Sequence, residues 1–363
     1  FLQNEDKMVQ CLLEVHRMFK PDGECCIFDL QVEAEILGCD LAWADNGPPS
    51  VASHPLACDE DDEPIVPCVC TIPGPSDGRI PLICGAMRRV KEAIGDTTGL
   101  YGLITGPFTL ASHLRGSDLF MDMFDREEYV HSLLDYCTQV ACKMAEYYVD
   151  AGMDVIAVVD PLISQISTSA FETFMADPFS RLFARIRELG VYSSFFVCGD
   201  ATRNIEAMCK TGCHAISVDE NVDLKAAKAI CDRYGVSIGG NIPLTTTMLH
   251  GTQQDNMKWV VDLLDSLEDH TGLVVAPGCD MPFETPFENT IGCSQAVLQT
   301  DQIREMVREA QRNGITVLSI GISNFNQSDM YDEFIPYSGP EVTTRLVQWL
   351  RRKFAHIADG ATF

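Results

Sequence analysis

Val274-Val275-Ala276-Pro277-Gly278-Cys279-Asp280-Met281-Pro282 runs from an apolar segment into a glycine turn that carries a cysteine. Phe195-Phe196-Val197-Cys198-Gly199-Asp200 ends in the same way. A short run rich in Val and aromatic side chains, closed by Gly and Asp, reads as a strand buried on both faces. Comparable runs recur at Cys25–Asp29, Leu100–Thr105, Asp154–Val159, Tyr192–Cys198, Ala215–Val218, Val236–Ile238 and Gly272–Ala276. Between them, helical spacing governs Glu127–Tyr148, Ala170–Leu189, Ile205–Lys210, Leu224–Tyr234 and Gln253–Leu267. Strands alternating with helices pair in parallel through crossover connections. The pattern predicts an α/β fold, a (β/α)8 TIM-type barrel.

In such a barrel the residues just past the strands share one rim, and the chemistry sits there. The rim so defined holds Asp160, Cys198, Asp219, Glu220, Asn241 and Cys279. Each has an ordinary structural role open to it. Asp160 and Asp200 suit helix caps, Asn241 suits a turn, and Cys198 suits a buried thiol. Their coincidence on one rim points instead to a shared site. Cys198 and Cys279 lie 81 positions apart, and two thiols brought together there bind a soft metal or attack carbon.

Composition narrows the partners. The 363 residues carry a formal charge of −27. Binding to nucleic acid needs a basic face, and so does binding to an anionic membrane surface; both are therefore excluded as partners. The run Asp59-Glu60-Asp61-Asp62-Glu63 reads as a solvated loop. Residues 40–80 are rich in Pro, Asp and Ser and read as an elaborated loop or small lobe. The 16 cysteines are irregularly spaced, and neither a signal sequence nor an apolar span is visible. They read as mostly reduced thiols of a cytoplasmic protein. Cys68-Val69-Cys70 is too tight for an ordinary metal knuckle and reads as structural. With no linker evident, residues 1–363 are expected to form a single domain.

Several further segments carry a resemblance. They are Phe19-Lys20-Pro21-Asp22-Gly23, Val32-Glu33-Ala34-Glu35-Ile36-Leu37-Gly38, Gly106-Pro107-Phe108-Thr109-Leu110-Ala111, Ile216-Ser217-Val218-Asp219-Glu220, Gly240-Asn241-Ile242-Pro243 and Pro277-Gly278-Cys279-Asp280. Together they resemble the uroporphyrinogen decarboxylase superfamily and, within it, the corrinoid-dependent methyltransferases, over about residues 5–312. Residues 313–363 are then a C-terminal extension, strand-like at Ile315–Ile322 and helical at Glu341–Ala355. The family's first strand is expected to precede Phe1.

The resemblance implies a zinc site in which Cys198 and Cys279 are ligands. It also implies transfer of a methyl group between a small molecule and the cobalt of a corrinoid, which a separate small protein carries. Family methyltransferases show His-x-Cys on the first of these strands, and Phe196 stands at the His position here. Glu220 is the expected third ligand, with Asp160, Asp219 and His113 as alternatives. Asp160 and Asn241 are the expected catalytic residues, orienting substrate by hydrogen bonds. The favoured reaction takes the methyl group from a methylated substrate such as an aromatic methyl ether. The alternatives are methylation of a thiol of the coenzyme M type, decarboxylation of a porphyrinogen, and non-catalytic binding of a small molecule or corrinoid. The Arg-rich segment that the resemblance would require of a decarboxylase is not present in these residues.

Overall fold

The computed structural model describes residues 1–298 apart from 45–46 and 59–61, together with the backbone of Leu318–Ile322 and Glu333–Tyr337. It divides into two compact units, Phe1–Gly292 and Cys293–Phe363.

In the first unit the chain runs α1 (Glu5–Phe19), β1 (Gly23–Ile27), α2 (Val32–Ile36), β2 (Leu41–Ala42), β3 (Ser50–Val51), α3 (Ile80–Ile94) and β4 (Gly99–Thr105). There follow α4 (Pro107–Arg115), α5 (Leu119–Asp125), α6 (Glu127–Asp150), β5 (Val155–Val159), α7 (Thr168–Ala170), α8 (Ala176–Glu188) and β6 (Tyr192–Val197). The unit continues with α9 (Ile205–Lys210), β7 (Ala215–Val218), α10 (Leu224–Tyr234), β8 (Ser237–Ile242), α11 (Gln253–Ser266) and β9 (Leu273–Pro277). Seven strands form one sheet in the order β1-β4-β5-β6-β7-β8-β9, every neighbour parallel. Chain order equals sheet order, the winding of a TIM-type barrel. Strands β2 and β3 pair as a small antiparallel flap in the elaborated loop.

Local chemistry sets the element ends. Asp223 caps α10 by accepting the Ala226 N–H, and Gly235 ends that helix at φ 66°, in the left-handed region. Thr252 and Asp255 form a reciprocal capping box on α11.

Successive strand residues face opposite sides, and the sheet uses both. Ile104, Ile156, Val158, Phe195, Ile216 and Ile238 pack outward against the helices and are almost wholly buried. Phe195 stacks on Phe179 with ring centroids 4.3 Å apart. Truncating such a ring costs about 3–5 kcal/mol. The alternate residues Leu103, Ala157 and Val159 form a separate inner cluster with Phe28, Leu30, Tyr101 and Phe196. The inner cluster faces the lumen.

In the second unit, β10 (Leu318–Ile322) pairs in parallel with β11 (Glu333–Tyr337). The strand expected at Ile315–Ile322 is present as β10. Strand β11 falls in a stretch with no expected element. The expected helix Glu341–Ala355 lies outside the described residues.

Candidate functional site at the barrel mouth

Cys198 directly follows β6, and Cys279 stands two residues past β9. Strands β7 and β8 lie between, so a flat sheet would hold the two ends about 14 Å apart at about 4.8 Å per strand. Their Cα atoms are 6.3 Å apart and their sulfurs are joined to each other. Curvature of the sheet and the inward lean of both loops bring the two ends together. Gly278 passes close to the β7–α10 loop, where a Cβ would lie a tight 3.0 Å from the Glu220 nitrogen. Among the described residues, the other 14 cysteines form no disulfide.

Glu220 comes from the β7 end and is exposed. Its carboxylate accepts the Leu244 N–H, just past β8. Asn241, on β8, is buried. Its Nδ2 donates to Asp219 O at 2.9 Å and Val222 O at 2.7 Å. Asn241 thus fastens the β7–α10 loop that carries Glu220.

Asp160, at the end of β5, has no exposed surface. One carboxylate oxygen accepts the Phe108 and Thr109 N–H groups at 2.9 and 3.2 Å, and the other accepts the Thr109 hydroxyl at 2.6 Å. These are orphan donors at the start of α4, where an acidic group belongs. Burial pushes the carboxyl up to about 7 against these bonds. Any side chain at Gly106 would collide with Asp160, so glycine is required there. The sequence reading of Asp160 as a helix cap describes its bonds; its carboxylate is turned to α4 and not to the lumen.

The alternative ligands are scattered. Asp219 is occupied in a local turn, accepting the Asn221 N–H at 2.8 Å. His113 sits on α4 with Nδ1 buried and unpartnered, and burial lowers its pKa to about 4. Among the described residues, no group of three or more His, Cys, Asp or Glu side chains is placed to hold a metal ion.

Sequence reading did not single out the lumen wall. Phe196 precedes Cys198 by two residues and shares its face. Its ring meets that of Phe28 edge-on at 6.4 Å. Cys25 on β1 is accessible to solvent, yet surrounding protein pushes its thiol well above the ordinary range, with a contribution from the Asp280 carboxylate. Phe19, at the end of α1 just before β1, meets Phe287 of the segment after β9 with ring centroids 6.4 Å apart, so the two edges of the sheet approach each other. Alternation along β1, β4 and β6 carries this information, but strands apolar on both faces hide which face is inner.

Comparison with known proteins agrees with this architecture. The uroporphyrinogen decarboxylase family model matches residues 1–298. A methylcobamide:CoM methyltransferase of Methanosarcina acetivorans is 32% identical over 267 residues, covering 72% of this chain and 75% of that protein. Another, from Methanosarcina barkeri, is 30% identical over 270 residues, covering 72% and 74%. The solved structure of a methyltransferase from Methanosarcina mazei superposes with a TM-score of 0.73 at 25% identity, covering 82% of this chain and 86% of that one.

Proposed function

Because the chain belongs to the uroporphyrinogen decarboxylase family, in its corrinoid methyltransferase branch, we propose that it moves a methyl group between a small molecule and the cobalt of a corrinoid carried by a small partner protein. The observation that carries this reading is the meeting of Cys198 and Cys279 at the barrel mouth. We assign the methyl donor to the aromatic methyl ethers. The support is the apolar lumen wall of Phe28, Leu30, Tyr101, Val159 and Phe196, against which an aryl ring packs edge-on or offset. In this direction the carbon–oxygen bond of the ether breaks as the cobalt–carbon bond forms, and the departing oxygen takes a proton from water. Methylation of a thiol of the coenzyme M type is the second reading, and the names of the Methanosarcina relatives favour it.

The chain's own residues have separate tasks in the proposal. The lumen wall binds the apolar body of the donor and keeps water from it. Asp160 and Asn241 are positioning residues. Asp160 holds α4 at the rim, and Asn241 holds the loop of Glu220.

A catalytic zinc takes three protein ligands and keeps one open position, where it polarises a bound oxygen or lowers the pKa of a bound thiol. Reduced, Cys198 and Cys279 supply two such donors. Phe196 supplies none, and Glu220 is engaged with Leu244. As placed, the donor set is one short of zinc. The proposal has Glu220 turn from Leu244 to complete it, and a zinc held by Cys198, Cys279 and Glu220 would supply that polarisation. The same proposal places the protein in the cytoplasm. No helix among the described residues is long and apolar enough to cross a membrane.

The test is methylation of free cob(I)alamin by the reduced chain, with a panel of aromatic methyl ethers as donors. Appearance of methylcobalamin with an ether supports the reading. Demethylation of methylcobalamin by thiols alone selects the second one, and decarboxylation of a porphyrinogen refutes both.

A further inference from the structure

The extended loop between β1 and α3 carries a second cysteine pair that the mouth does not use. Cys68 and Cys70 are both exposed, so packing does not account for them. The short turn Val69–Thr71 holds them. Thr71 fastens that turn twice. Its hydroxyl donates to Cys68 O at 2.7 Å and meets the Tyr136 hydroxyl of α6 at 2.8 Å. Its N–H also donates to Cys68 O, at 2.8 Å. The Cys70 N–H donates to the Cys68 sulfur at 3.3 Å.

The Cys70 side chain, and this N–H bond after it, lower the Cys68 thiol, and the Cys68 side chain raises that of Cys70. Of the two, Cys68 is the more readily ionised, with the Cys70 side chain beside it. A thiolate is the attacking species in disulfide exchange, and a neighbouring thiol is what resolves the mixed disulfide. Other cysteines do not match this arrangement. Cys209 and Cys231 approach within 3.8 Å but are buried, and Cys11 is an exposed cysteine on α1.

We propose that Cys68 and Cys70 form a thiol–disulfide exchange site for small disulfides, separate from the barrel mouth. The Cys68 thiolate attacks one sulfur of a disulfide RS–SR. That sulfur–sulfur bond breaks, a Cys68–SR bond forms, and RS⁻ leaves. Cys70 gives its proton to the departing thiolate and attacks the Cys68 sulfur, releasing the second RS⁻, which takes a proton from water. In sum, the two cysteines lose two electrons and the Cys70 proton to become a disulfide, and RS–SR, with one further proton from water, becomes two RSH. A turn already closed by Thr71 keeps the two residues together for the second step.

The experiment uses the reduced full chain and glutathione disulfide, with acid quenching, alkylation and peptide mass spectrometry. In the unaltered protein the peptide with both cysteines should become lighter by two hydrogens. Cys70→Ser should trap glutathione on Cys68, about tenfold faster than on Cys11, because thiolate fraction sets the rate. Cys68→Ser should leave Cys70 no faster than Cys11. Two results overturn the proposal: trapping at Cys68 no faster than at Cys11, or accumulation of mixed disulfide in the unaltered protein without a Cys68–Cys70 bond.

Discussion

Asp160→Asn separates a helix anchor from a substrate ligand, because the two roles leave different marks on stability against pH. Asp160 is fully buried, and its carboxyl is raised from 3.8 to about 7 by that burial. In the unfolded chain it ionises near the ordinary value, while the folded chain keeps the proton until about pH 7. Stability is therefore lost as pH rises between those two values and levels off above the upper one. From pH 5 to pH 8 about two pH units of that window are crossed, or about 3 kcal/mol at 1.36 kcal/mol per unit. The asparagine has no such titration. It still loses acceptor capacity toward Phe108, Thr109 and the Thr109 hydroxyl, a cost of about 1–3 kcal/mol at either pH. Urea unfolding followed by circular dichroism should show the variant less stable at pH 5. At pH 8 its stability relative to the unaltered protein should improve by about 3 kcal/mol. The same difference at both pH values would refute the raised carboxyl, with the bonds from Phe108 and Thr109 offsetting its burial in full.

Glu24→Gln should act by similar physics elsewhere. Both oxygens of Glu24 are buried without a hydrogen bond, with His16 Nδ1 at 3.4 Å, and burial raises the carboxyl to about 7. The amide should add about 2–3 kcal/mol to stability at pH 8 and little at pH 5, as urea unfolding would measure. Asn241→Ala removes two bonds to the β7–α10 loop. Turnover should fall about tenfold or more through loss of positioning, while bound metal, measured by emission spectrometry, stays unchanged. Cys198→Ser and Cys279→Ser should each remove bound zinc and methyl transfer without unfolding the chain, since a large βα core does not depend on metal as a zinc finger does. Glu220→Ala should lower zinc less than either, because thiolates are the softer ligands.

The seven strands of the main sheet were legible because each is a short apolar run closed by Gly, Pro or Asp. Helices α6, α8, α9, α10 and α11 were legible by their spacing, whereas α3, 15 residues long, was not read as a helix. Cys198 and Cys279 were legible as a pair because a barrel rim gathers strand ends whatever their distance in sequence. The role of Asp160 was open. An aspartate before Pro161 fits a cap and a catalytic group alike, and only the distances to Phe108 and Thr109 show where its oxygens point. Phe28 and Tyr101 were hidden for another reason. Strands apolar on both faces do not reveal which face is the lumen. Exposure of Cys68 and Cys70 was equally invisible, since Val69 between them gives no sign of the surface.

Methyl transfer at the paired cysteines is the most direct measure of the proposed function. Purified chain, fully reduced, is mixed with free cob(I)alamin and an aromatic methyl ether, and the cobalt spectrum is followed. Chain-dependent appearance of methylcobalamin, lost in Cys198→Ser and in Cys279→Ser, is the predicted result. Methyl transfer at an undiminished rate in both cysteine variants would contradict the site. No methyl transfer in either direction, with ethers or with thiols, would contradict the function.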